Sequence, residues 1–96
     1  MSEFDIFSVY RQPDWTPLER VLTVVFGADA ADAIGAFWFV GFVQGPAGAG
    51  DLRLYEHSET RREIAVDGLG CTYRRQQNGP GFVPVDVEDA LIGVFL

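Results

Sequence analysis

Residues 54 to 63 read LYEHSETRRE, and they gather the chain's single histidine, three of its six glutamates, two of its seven arginines and a tyrosine. Side chains of these types clamp anions when arginines converge, transfer protons when a histidine meets an orienting carboxylate, and hold metals when several ligands share one face. Strand register decides among these, because a one-residue slip turns every side chain to the other face of a sheet.

The apolar residues favour one register. An even-numbered loop at Asp67-Gly68 pairs Val66 with Cys71, Ile64 with Tyr73 and Arg62 with Arg75. A three-residue loop of Ser58, Glu59 and Thr60 pairs Leu54 with Ile64, Leu52 with Val66 and Glu56 with Arg62. The expected inner face then carries Leu52, Leu54, Ile64, Val66, Cys71 and Tyr73, and ends in Glu56, Arg62 and Arg75. Two facing arginines repel, and Glu56 supplies one negative charge where about two are needed. Arg62, Arg75 and Glu56 are therefore the candidate site for an anion or an acidic group of a partner. The plainer reading is a charged cluster that closes the rim of the core.

The same register sends Tyr55, His57, Arg61 and Arg74 to the opposite, polar face, with Arg53, Glu63 and Thr72. That face reads as solvent-facing or as a partner surface. His57 lacks an orienting carboxylate and a nearby nucleophile, so a solvated turn histidine without chemistry is expected, and no catalytic residue is assigned. His57-Ser58-Glu59 has the H-x-E form of zinc deaminases, but no P-C-x-x-C is present to complete the ligands, so neither a metal nor a cofactor is expected. Gly45, Gly48 and Gly50 suggest a phosphate loop, yet the chain has no lysine and no helix comes after them; a hairpin loop explains them. The acid pairs Asp29 with Asp32 and Glu88 with Asp89 fall in first turns of helices, where the macrodipole accounts for them. Cys71, facing the core, is expected to be inert.

These side chains need elements to hold them. Thr16, Pro17 and Glu19 mark a helix start, Leu18, Val21, Leu22, Val25 and Phe26 recur at helical spacing, and Gly27 stands ready to end the run. Asp29 opens a second short helix. Trp38 to Gln44 reads as a strand, with one helix from Ala30 to Val43 as the rival. Further strands are expected near 51 to 57, 61 to 67, 70 to 76 and 81 to 85, and a terminal helix capped by Asp86 with Val87, Ala90, Leu91, Val94 and Phe95 on its apolar face. The fold class is α+β: two N-terminal helices, an antiparallel meander sheet of four to five strands, and a C-terminal helix packed on the sheet, in a single domain spanning residues 1 to 96.

Composition narrows the function. Fourteen acids against seven arginines give a net charge of -7, which disfavours direct nucleic-acid or anionic-membrane binding because both need a basic footprint. Lysine-free usage points to a GC-rich bacterial or phage gene. A lone cysteine cannot form an internal disulfide. MSEFDIFSVYRQ at the N-terminus has no apolar run of the secretory kind, and the longest uncharged apolar stretch, Ala33 to Val43, falls short of the about 20 residues a spanning helix needs. A cytoplasmic setting without a membrane anchor is expected. The expected function is non-enzymatic: a small acidic protein that binds another macromolecule, a protein partner of the kind met by inhibitor, immunity or anti-defence proteins. An anion- or small-molecule-binding domain using the arginine pair, enzymatic or not, is one alternative. A structural homo-oligomer is another: Phe37, Trp38, Phe39 and Phe42 are generous for one core, and Ile92 and Leu96 lie off the apolar stripe of the last helix, so a homodimer with contacts at Trp38, Ile92, Phe95 and Leu96 is expected.

Overall fold

The computed structural model describes residues 13–96. The stretch MSEFDIFSVYRQ, and with it the expected lack of a secretory signal, lies outside them.

Helix α1 spans Thr16–Phe26, with Pro17 in its first turn, where a missing N–H costs nothing, and with Pro17, Leu18, Val21 and Leu22 buried. Its start differs from the expected one. Trp15, not Thr16, stands at the cap, and the Asp14 carboxylate accepts the Thr16 N–H at 3.3 Å. Gly27 does end the helix, at φ 54. The expected second helix is not separate from the first: a 3-10 turn, Gly27–Asp29, leads directly into the short helix α2, Ala30–Ile34, so residues 16 to 34 form one bent helical segment. Asp29 keeps helical backbone angles and makes no side-chain capping bond, which explains why its start signal did not interrupt the segment.

Strand β1, Phe37–Gln44, begins after a turn at Gly35 and Ala36, and this excludes the rival helix through Val43. After it come β2 (Asp51–His57), β3 (Glu63–Val66), β4 (Thr72–Arg75) and β5 (Phe82–Val85), and the five strands form one antiparallel sheet in sequence order. Helix α3, Val87–Phe95, closes the chain. Asp86 occupies its cap position with extended backbone but without the expected side-chain bond.

Register departs from the expected one by a single residue in both central hairpins. Tyr55 pairs with Ile64, Leu54 with Ala65 and Glu56 with Glu63; Ala65 pairs with Tyr73 and Val66 with Thr72. The cause lies in the loops. The β2–β3 turn holds four residues, since His57 N–H donates to Arg62 O and Arg61 takes a left-handed φ of 62. The β3–β4 turn holds three, Gly68 to Gly70, because Asp67 N–H donates to Cys71 O and Gly70 adopts φ 90.

The slip exchanges the faces. Phe37, Tyr55, Ile64 and Val66 lie beneath the helices with Leu18, Val21, Leu22, Ala30, Leu91 and Val94 in the main core. Leu52, Leu54, Ala65 and Tyr73 form a smaller cluster on the other face, joined by Val43, Ala49 and Phe82. Cys71, expected inside, is exposed just after the β3–β4 turn.

Candidate functional site

The residues of LYEHSETRRE work mainly as fasteners between the sheet and the helices. Tyr55 is fully buried; its ring packs on Trp15 and Phe39, and its hydroxyl donates to the Asp14 carbonyl at the start of α1. Burial, with the nearby Asp14 charge, pushes that phenol well above its ordinary range. His57 is 5% exposed and stands edge-on between Phe37 and Phe95. Its Nδ1 accepts the N–H groups of Glu59 at 3.2 Å and Thr60 at 3.3 Å, which assigns the proton to Nε2 in the neutral ring and makes the histidine a brace for its own turn. Thr60 Oγ1 donates to Val94 O at 2.6 Å and Arg62 Nη1 to Gly93 O at 3.3 Å, so this turn satisfies carbonyls in the last turn of α3.

Tyr55 and His57 are thus corrected from partner surface to core. Arg61 and Arg74 remain exposed, and the Arg61 guanidinium lies 5.1 Å from the centre of the Trp38 ring.

The arginine clamp also changes character. Arg62 is not opposite Arg75; the residues that face each other are Glu56 and Glu63. Each of these has its own arginine: Arg61 Nε donates to Glu56 at 2.6 Å, and Arg75 donates to both oxygens of Glu63 at 2.5 and 3.2 Å. Arg75 thus has a carboxylate of its own, while Arg62 is held by the Gly93 carbonyl. In both pairs the arginine is largely exposed and the glutamate partly so, and solvent reaching the cation keeps such contacts to about 1 kcal/mol or less. A cavity of ≈ 260 Å³ touches Arg61, Arg62 and Arg75, with Leu54 and Tyr73 in its floor.

Beyond the fasteners, Asp67 organises the β3–β4 turn. Its carboxylate accepts the N–H groups of Leu69 and Cys71, each at 2.9 Å, and the Tyr73 hydroxyl at 2.9 Å. Burial by itself would raise this carboxyl, but the Cys71 N–H, the Tyr73 hydroxyl and the Leu69 and Gly70 amides outweigh it and hold the group below its ordinary range.

The surface with room for a partner lies elsewhere. Val24, Val25 and Phe26 at the end of α1 and Ala33 of α2 meet Val87, Leu91, Ile92 and Phe95 of α3 and Leu96 at its C-cap around an open groove of ≈ 910 Å³. Val24 is 76% exposed, Ile92 56% and Leu96 80%, while Phe26 and Phe95 stack edge-to-face at 5.5 Å across the floor. Among the described residues, the polar side chains lining it are the carboxylates of Asp86 and Glu88. Ile92, Phe95 and Leu96 are the contact residues expected from sequence; Trp38 is half-exposed on the other face of the sheet and does not join them. Val24 is absent from that expectation, and Val25 and Phe26, expected in the buried stripe, stand instead at the groove. The available signal is the run VLTVVF, in which five of six residues are apolar and exceed what one helical face can bury.

Among the described residues no helix is long and apolar enough to cross a membrane, and no cluster of three metal-ligating side chains occurs. Compared with protein-family models, curated proteins and solved structures, the chain matches none.

Proposed function

We propose that this chain is a non-enzymatic module that binds another protein through the groove between α1 and α3, in keeping with an inhibitor-like role in the cytoplasm. One observation carries the reading: nine apolar residues, most of them from α1 and α3, line one open depression, whereas the other large apolar residues exposed among those described, Trp38, Val40 and Leu69, lie away from it. Apolar centre and polar edge is the anatomy of a protein interface. The arginines favour a second reading less, since Arg61 and Arg75 already hold Glu56 and Glu63.

The test is affinity capture from source-cell extract with wild type and Ile92→Asp in parallel, and then titration of the purified partner. Ile92→Asp should weaken binding by at least about 100-fold, a central-anchor effect, while Arg62→Gln and Arg75→Gln leave it unchanged. Equal affinity of wild type and Ile92→Asp, with loss in the arginine variants, would move the function to the hairpin.

A further inference from the structure

Resting on that protein-binding reading, we infer that the groove takes an amphipathic helix from a different protein, with cationic side chains at the end that meets Asp86 and Glu88. Three features lead there. The outer wall is a single stripe spaced four residues apart, Glu88 and Ile92 on α3 and Leu96 at its C-cap. At 1.5 Å per residue it runs about 12 Å, the length over which a partner helix presents two or three anchors at i, i+3 or i+4, and i+7.

The walls also select the backbone. α1 and α3 present side chains, not a strand edge, so an extended peptide would leave its N–H and C=O groups without partners on the apolar floor. A helix satisfies its own backbone and brings only side chains.

Charge then selects the sequence of the occupant. Among the described residues, the helical layer and its caps carry Glu19, Asp29, Asp32, Asp86, Glu88 and Asp89 against the single base Arg20, whereas Arg53, Arg61, Arg62, Arg74 and Arg75 belong to strands and turns. A second copy offering its own α3 brings no cation in either direction: laid parallel it sets Glu88 and Asp89 beside these carboxylates, and laid antiparallel it sets Leu96 against them. Lysine or arginine on a foreign helix meets the opposite situation. The apolar stripe supplies the docking, and the carboxylates set its direction.

The probes are two labelled synthetic peptides of about 14 residues, near the minimum for useful helicity. Both carry leucine at the same helical positions and alanine elsewhere; one has lysine and the other glutamate at the end expected to face Asp86 and Glu88. Fluorescence anisotropy at low ionic strength should show the lysine peptide binding the wild-type chain at least about 10-fold more tightly, with the preference shrinking as salt screens the rim. The double variant Asp86→Asn with Glu88→Gln should abolish the preference yet retain binding, and Ile92→Asp should abolish binding of both peptides. Circular dichroism and unfolding midpoints confirm each fold, and Val24→Asp replaces Ile92→Asp if the latter does not fold. Equal affinity for the two peptides overturns the cationic occupant while leaving the groove as a docking site. Binding of neither peptide also overturns it, and the capture experiment then judges the protein-binding reading alone. A concentration-dependent dimer that Ile92→Asp breaks overturns it in favour of a second copy.

Discussion

His57 carries two structural duties at once: its ring packs edge-on against Phe37 and Phe95, which also touch each other, and its Nδ1 receives two turn amides. His57→Ala should therefore lower stability by about 2 kcal/mol or more, since a cavity and two orphaned donors arise together. His57→Phe restores the ring contacts but not the acceptor, and its urea midpoint should fall between the two. Asp67 supports a second prediction. A carboxyl held low in the fold contributes stability that is present above its unfolded value of about 3.9 and is lost as pH falls through the folded value. Tyr73, pushed up to about 12 by burial and by its bond to Asp67, acts at the other limit: its contribution is present below the ordinary phenol range and is lost as pH rises through that value. Asp67→Asn should lower stability at neutral pH by about 1–2 kcal/mol and flatten the acid limb of a stability-versus-pH curve. An unaltered acid limb in that variant would place the acid sensitivity on another group. The density of polar side chains marks this stretch in the sequence, but the expected register places Tyr55 and His57 on a solvent-facing surface; their duty as fasteners is not legible there, because it depends on where α1 begins and α3 ends.

At the scale of elements, composition and punctuation locate the strands and the first and last helices but divide the single N-terminal helical segment in two, and the misplaced faces come from turns. Ser58-Glu59-Thr60 looks like a complete three-residue loop, but Arg61 enters the left-handed region, where a non-glycine residue is uncommon, and lengthens the turn by one. Asp67-Gly68-Leu69-Gly70 contains the better clue, an Asp that accepts turn amides with a glycine suited to positive φ three residues later, the pattern of a three-residue hairpin loop. Alternation could not settle the matter, because both faces of the central strands carry apolar residues: Leu54 and Tyr55 are neighbours and both buried. The lengthened turn has a consequence for α3. It carries Thr60 to the Val94 carbonyl and Arg62 to that of Gly93. Thr60→Val should cost about 1 kcal/mol, the net worth of an ordinary hydrogen bond, and should speed amide exchange in the last turn of α3 more than in β4. Uniform acceleration across the sheet would mean that the turn does not specifically anchor the helix.

For the whole molecule, the main core lies between one sheet face and the helices, which leaves the far sides of α1 and α3 to solvent. An ordinary soluble surface scatters its apolar residues; here Val24, Val25, Phe26, Ile92 and Leu96 adjoin one another. Val24, Ile92 and Leu96 do little for folding, because most of their area stays in water on either side of the unfolding equilibrium. The double variant Val24→Asp with Ile92→Asp should accordingly keep its unfolding midpoint, within about 0.5 kcal/mol per surface change. The same two changes place carboxylates on both walls of the groove, so binding of an apolar dye such as ANS by the native protein should fall several-fold. A large drop in the midpoint would show that the walls support the core and are not held free for a partner. Undiminished dye binding would place the accessible apolar surface instead at Trp38 and Val40, on the edge strand β1.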